Sequence, residues 1–249
     1  MTEPRPVVWI TRTPDGAKAT GRAVEAMGCE ALHAPVLKVV QLKPVIDPHS
    51  FGAVIFTSRN GLNAFCAVCN RRAVTVYCVG DATAETARAK KFTKVVSAHG
   101  DIEALHALLL AEADRATRLV YAAPREPAAP LTRLLRGDGF LVTEVPVYET
   151  RDIAPALSAA DLGRISHVLV HSPKAGRAVA RVLIAHHDKL LFQKLRFICI
   201  SEAAWHATEQ AMTAGGIDAT AAGWQKRISP FPDEASMLSL LQDEGESTT

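Results

Sequence analysis

The segment VVWITRTPDGAKATGRAVEAMGCEALHAPV, residues 7–36, reads as one complete strand–helix–strand unit, and the rest of the chain becomes legible from it. Val7, Val8, Trp9 and Ile10 form a short apolar run, rich in β-branched residues, that suits a strand buried on both faces. Thr13-Pro14 supplies a helix N-cap followed by proline at the first helical position, where a missing N–H costs nothing. Thr20, Ala23, Val24 and Met27 share one face, and Gly28 ends the helix. Leu32–Val36 is the expected returning strand. A helical crossover between two such strands implies parallel pairing.

Outward from this unit the alternation continues. Strands are expected at Ala53–Phe56, Thr75–Val79, Lys94–Ser97, Leu119–Ala122, Leu141–Val145, His167–Val170, Arg196–Ile200 and Asp218–Ala221, with helices between most of them. So many strands exceed one ordinary open sheet, which favours two domains. Internal similarity sharpens the division. VIFTSRNGLNAF (54–65) matches VLVHSPKAGRAV (168–179), VYCVGDATAETARA (76–89) matches FICISEAAWHATEQ (197–210), and the opening unit matches LVYAAPREPAAPLTRLLRGDGFLVTEVPV (119–147). The matching units occur in a different order in the two copies. The simplest arrangement is one domain inserted into another: residues 1–36 with 153–249, and an inserted domain at 45–143. The two crossings, 37–44 and 144–152, read as extended linker strands with proline weakening one edge. A helix is expected over Pro232–Leu241, and the QDEGEST tail beyond it is expected to fray.

Composition removes several functional classes. Of 249 residues 48% are hydrophobic and 22% charged, so disordered and fibrous proteins are excluded, and 28 Lys and Arg against 26 Asp and Glu argue against bulk nucleic-acid or membrane-surface binding. No apolar run approaches the roughly 18 residues of a membrane span. The N-terminal apolar run is too short for a signal peptide, and the five scattered cysteines (Cys29, Cys66, Cys69, Cys78, Cys199) suit reduced thiols, so the expected compartment is the cytoplasm. No glycine-rich nucleotide fingerprint is present. His186-His187 has no companion ligands at metal spacing, and Cys66-x-x-Cys69 falls inside a helix, without the second ligand pair a zinc site needs.

The informative positions are the turns between strands and helices, because ligands of open α/β sheets bind outside the carboxyl ends of the strands. These turns are polar throughout: Thr11-Arg12-Thr13, Thr57-Ser58-Arg59-Asn60, Gly80-Asp81-Ala82-Thr83, Pro124-Arg125, His171-Ser172-Pro173-Lys174 and Ser201-Glu202. Each hydroxyl taken alone is explained by helix capping. As a set, with Arg or Lys in four of six, they suggest binding of a polyanionic small molecule by helix N-termini and cations. No Ser-His-acid or Cys-His set for covalent catalysis is evident.

The ordered series VWITRTPDGA (8–17), VIFTSRNGLNAF (54–65), YCVGDATAETA (77–87), PVYETR (146–151), HSPKAG (171–176) and ICISEAA (198–204) resembles the uroporphyrinogen-III synthase family over nearly the whole chain. The resemblance implies an α/β fold of two similar parallel-sheet, flavodoxin-like domains, one inserted in the other and joined by a two-stranded β linker. It implies that hydroxymethylbilane, a linear tetrapyrrole, binds in the cleft and closes with inversion of its last pyrrole, ring D, without metal or organic cofactor. The linker residue Tyr148 matches the family's tyrosine and is the candidate proton donor for the departing hydroxyl. Substrate carboxylates are then assigned to Arg12, Thr57, Ser58, Arg59, Asn60, Gly80, Thr83, Arg125, Ser172, Lys174 and Ser201. Two departures stand out: His171 replaces the more frequent Thr or Phe, and Ala204 leaves no counterpart to the Thr83 hydroxyl. With no exposed apolar run in the sequence, a monomer without nucleic-acid or membrane partners is expected. The competing readings are a non-catalytic two-domain module that closes on a small polyanion and, with little aromatic content to support it, a flavin-binding electron carrier.

Overall fold

The computed structural model describes residues 5–127, 129–186 and 194–242. The chain divides into two compact units, residues 1–38 with 151–249, and residues 39–150.

The first unit contains β1 (Val7–Ile10), α1 (Pro14–Ala26), β2 (Glu30–His33), α6 (Ala159–Leu162), β9 (Ile165–Val170), α7 (Pro173–Ala185), β10 (Arg196–Cys199), α8 (Glu202–Ala214), β11 (Gln225–Ile228) and α9 (Glu234–Ser239). Its five strands lie in the order β2-β1-β9-β10-β11, all parallel. Alternate side chains serve opposite faces. Trp9, Val168, Val170 and Phe197 pack with Val179, Leu183, Trp205 and Met212 of α7 and α8. Val8, Ile10, Leu169 and Ile198 pack with Val24 of α1 and with Met237 and Leu238 of α9. Helices α7 and α8 approach closely because position 176 is glycine: a Cβ there would lie 2.8 Å from the Ala204 carbonyl oxygen and collide with Thr208.

The second unit contains β4 (Ala53–Phe56), α2 (Arg59–Val68), β5 (Thr75–Cys78), α3 (Asp81–Ala89), β6 (Lys94–Ser97), α4 (Ile102–Glu112), β7 (Leu119–Pro124) and α5 (Leu131–Gly137). Its sheet is completed by β8 (Val142–Asp152) and β3 (Leu37–Gln41), in the order β3-β8-β7-β4-β5-β6. Val54, Phe56 and Val76 face α2 and α3 through Leu62, Phe65 and Ala84, while Ile55, Leu119 and Tyr121 face α4 and α5 through Leu105, Leu109, Leu131 and Leu135. When the internally similar segments are matched, β8-β7-β4-β5-β6 corresponds position for position to β2-β1-β9-β10-β11. The two sheets share one spatial order and differ in where the chain enters it.

Both passages of the chain from one unit to the other run in strands, at Lys38/Val39 in β3 and Thr150/Arg151 in β8. The expectation of separate strands at Leu141–Val145 and 144–152 is corrected: β8 is continuous from Val142 to Asp152. Its register against β7 runs to Ala123↔Pro146 and then slips, so that Pro124 faces Tyr148 and Val147 is the extra residue. Proline has no N–H for the ladder and tolerates such a bulge. Three other expectations also shift. The second strand is Glu30–His33, because Pro35 interrupts the ladder and the Val36 N–H turns to the Thr11 carbonyl. Asp218–Ala221 is a turn, in which the Asp218 carboxylate accepts from the N–H groups of Thr220 and Ala221, and the edge strand is the polar Gln225–Ile228. The last helix begins at Glu234, after Asp233 caps it through the Ser236 N–H, and ends at Ser239. Most of the QDEGEST tail, and His187, lie outside the described residues.

Candidate active site

In each unit the strand order reverses at one place: between β1 and β9 in the first, between β4 and β7 in the second. Such a switch point opens a crevice at the carboxyl ends of the strands. The polar turns after β1, β9, β4 and β7 flank these points, and those after β5 and β10 lie one strand further along the same sheet edges.

In the second unit, Thr57 and Ser58 follow β4. Ser58 is the N-cap of α2: its Oγ accepts from the Gly61 N–H at 3.0 Å. The same hydroxyl lies 3.0 Å from the Tyr148 hydroxyl, and Thr57 Oγ1 lies 3.1 Å from the Tyr121 hydroxyl. Because Ser58 already accepts the helix N–H, its own proton and the phenolic proton remain to be shared along this chain. Gly61 makes the packing possible, since a Cβ there would lie 2.7 Å from the Ala122 carbonyl oxygen and 3.5 Å from the Tyr148 ring. Tyr148 and Tyr121 are both buried, and burial pushes both phenols above the ordinary tyrosine range. They are therefore proton donors at neutral pH. The β8 bulge delivers Tyr148 to this position, and the Arg125 N–H donates to the Tyr148 carbonyl at 2.8 Å.

The cations of this unit are more exposed. Arg125 pairs with Glu149 at 2.8 Å while remaining over half exposed, and Arg59 is exposed beside the half-buried Asn60. Gly80 caps α3 through its backbone, with the Thr83 N–H donating to its carbonyl, and Thr83 is buried. Among the described residues no hydrogen bond joins this turn to the Ser58–Tyr148 pair, so the two form separate stations along one sheet edge. Tyr121 was not singled out from the sequence, where it reads only as an interior residue of a buried strand.

The first unit repeats the pattern with different chemistry. Buried Thr11 donates to the Leu169 carbonyl at 2.6 Å, bridging β1 and β9 across the switch point. Arg12 Nη1 lies 2.6 Å from Glu234 of α9 and 3.2 Å from Thr20 Oγ1, and the Thr20 hydroxyl also donates to Glu234. The guanidinium assigned to substrate is thus engaged by the chain's own carboxylate. Glu234 sits below the usual carboxylate range despite its partial burial, because Thr20 and Arg12 stabilise the charged form. His171 stands beside them. Neither of its ring nitrogens has a hydrogen-bond partner among the described residues, and burial, reinforced by the Arg12 charge, lowers it to about 4. At neutral pH it is an uncharged ring. Ser172 and Ser201 cap α7 and α8, accepting from Ala175 at 3.1 Å and from Ala204 at 3.3 Å, and Lys174 is half-buried in the first turn of α7. At all three serines the capping role is therefore real, and any ligand meets a turn already organised by it. Neither His171's neutrality nor Glu234's partnership is visible in the local sequence.

No helix among the described residues is long and apolar enough to cross a membrane. A model of the family described as uroporphyrinogen-III synthase HemD matches residues 18–220. No curated protein matches the chain by sequence. Among solved structures, the chain is similar to uroporphyrinogen-III synthetase from Helicobacter pylori 26695, with 18% identity, a TM-score of 0.60, and coverage of 96% of this chain and 99% of that one. It also matches a mutant uroporphyrinogen III synthase of the extremely thermophilic bacterium Thermus thermophilus, with 13% identity, a TM-score of 0.49, and coverage of 96% and 98%. The first of these shows the shared two-sheet α/β fold, and the family match spans most of the sequence. This chain therefore belongs to the uroporphyrinogen-III synthase family, whose members are cyclising lyases.

Proposed function

We propose that this protein closes hydroxymethylbilane to uroporphyrinogen III, inverting ring D as the macrocycle forms. The observation that carries the mechanistic part is the Ser58–Tyr148 hydroxyl pair at the carboxyl end of the second unit's sheet. The hydroxyl of the substrate's terminal hydroxymethyl group leaves as water, expelled by the electron-rich pyrrole, and the methylene that remains forms a carbon–carbon bond to ring D, which gives up a proton. No net oxidation occurs. A departing hydroxyl needs a proton or a strong hydrogen bond, and a buried phenol kept protonated by its surroundings is suited to give one. Ser58 steadies that phenol and passes hydrogen bonding on to the helix N-terminus.

The carboxylates of the tetrapyrrole are assigned to the turns of each unit. N–H groups in the first turns of α2, α3 and α8 are placed to donate to anions, and Arg59, Arg125 and Lys174 add charge. Arg12 joins this set when a substrate carboxylate takes the place that Glu234 occupies. The chain acts on a small-molecule tetrapyrrole as a monomer in the cytoplasm, with no nucleic acid, membrane or cofactor taking part. The direct test is to incubate the purified chain with hydroxymethylbilane and separate the uroporphyrinogen isomers. Predominant type III supports the reading, and type I alone, at the spontaneous rate, refutes it.

A further inference from the structure

The turn after β6 holds a side-chain constellation with no role in the proposed ring closure. His99 Nδ1 lies 2.7 Å from Asp81 Oδ1. The Ser97 hydroxyl bonds the same carboxylate, and the His99 backbone N–H donates to Ser97 Oγ at 3.2 Å. Ser97 is buried, which anchors the group, whereas the His99 side chain is 73% exposed. With Nδ1 held by a carboxylate the ring orientation is fixed, and Nε2 has no partner among the described residues.

Asp81 belongs to the Gly80–Thr83 turn, already assigned to substrate. That turn and the His99 turn are laced together: the Gly100 N–H donates to the Val79 carbonyl at 3.1 Å, and a Cβ on Gly80 would lie 3.7 Å from the Gly100 carbonyl oxygen. His99 itself has φ of 53°, a left-handed backbone that glycine adopts without strain. A turn that only had to reverse the chain would be better made with glycine. Asp81 by itself would repel a polyanion. The hydrogen bond from His99 engages that carboxylate and, followed by the one from Ser97, is the main reason the Asp81 carboxyl lies below its usual range, with Arg88 adding to the effect.

We propose that His99 binds a substrate carboxylate, donating Nε2–H to it beside the Gly80–Thr83 turn, with Asp81 as its positioning residue. The inference rests on the tetrapyrrole reading and adds a contact to it. Two full-length measurements test it: titration with uroporphyrin III, a stable octacarboxylate, and steady-state kinetics with hydroxymethylbilane. His99→Gln should weaken binding and raise KM about tenfold, the order expected for one charge-assisted hydrogen bond, with kcat changed less than about twofold. His99→Lys should recover most of the loss. The double variant His99→Gln with Asp81→Asn should bind better than His99→Gln alone, because the stranded carboxylate is gone. His99→Gly should melt at or above the wild-type temperature while binding poorly, which a merely structural histidine would not do.

A wild type that is active and unaffected in affinity by His99→Gln overturns the His99 assignment alone. So does a His99→Lys variant as weak as His99→Gln, or a His99→Gly variant that loses stability and binding together. A wild type that neither binds uroporphyrin III nor turns over hydroxymethylbilane overturns the tetrapyrrole reading, and this contact with it.

Discussion

Replacing Tyr148 with phenylalanine separates chemistry from architecture, and the structure sets the size of each effect. The ring stays, so its packing in the second unit's core with Phe56, Leu62 and Val147 is kept. One hydrogen bond is lost, the 3.0 Å contact to Ser58, but Ser58 Oγ still receives the Gly61 N–H, so no buried group is orphaned. A net loss of about 1 kcal/mol follows, or a melting shift of roughly 2–4 °C for a chain of this size. Affinity for uroporphyrin III should hold within about twofold, because the assigned carboxylate contacts lie in the turns. Turnover should fall by about two orders of magnitude or more, the typical contribution of a positioned acid. The assay is the initial rate of uroporphyrinogen formation with isomer separation, and the residual product should drift toward type I, the isomer of spontaneous closure. Ser58→Ala tests the same pair from the other side, with a smaller loss of turnover and about 1 kcal/mol lost from the α2 cap. If Tyr148→Phe yields mainly type III at close to the wild-type rate, the phenol is structural, and the departing hydroxyl must be stabilised by backbone N–H groups and water.

His171 makes stability depend on acid. Its folded value of about 4 lies below the ordinary 6.5, so the unfolded chain binds the extra proton first, and stability is full above about pH 6.5 and falls as pH drops toward 4. Urea midpoints across that window should show the decline, at most about 3 kcal/mol, and His171→Leu should flatten it; an unchanged slope would place the ring in water. Glu234→Ala should free Arg12 for substrate, tightening uroporphyrin III binding while costing about 1 kcal/mol of stability for a partly exposed pair; weaker binding would show that Glu234 positions Arg12 instead of competing for it. Gly61→Ala should lower the melting temperature, against the usual gain of about 1 kcal/mol for that change in a helix, because the added methyl meets the Ala122 carbonyl oxygen at 2.7 Å. Lys174→Ala should raise KM, and the wild-type KM itself should rise with salt, as expected for a polyanion held by charge.

The fold elements and the chemistry of their ends were legible in the order of residues. Apolar runs such as Val7–Ile10 and Ala53–Phe56 leave few alternatives to buried parallel strands, and Ser58, Ser172 and Ser201 announce helix starts because a cap is made within four residues. The match between 54–65 and 168–179 likewise reflects a local strand–turn–helix pattern, and β4 and β9 occupy equivalent places in the two sheets. Where local rules competed the sequence misled: the expected strand at Asp218–Ala221 has one β-branched residue, Thr220, and the aspartate's bonds to neighbouring N–H groups make a turn instead. Partnerships across long stretches of chain were set by tertiary packing. Ser58 meets Tyr148 because β8 bulges at Pro146 and Val147, a slip in register against β7 with no signature beyond one proline. Arg12, just before α1, meets Glu234, at the start of α9, because those two helices pack on one face of a sheet, and His171 is held neutral by what surrounds it. His99 meets Asp81 because β5 and β6 are adjacent and end together. Caps and periodicity act between near neighbours in the chain, whereas pKa shifts and ion pairs depend on distance through space, which the order of residues does not contain.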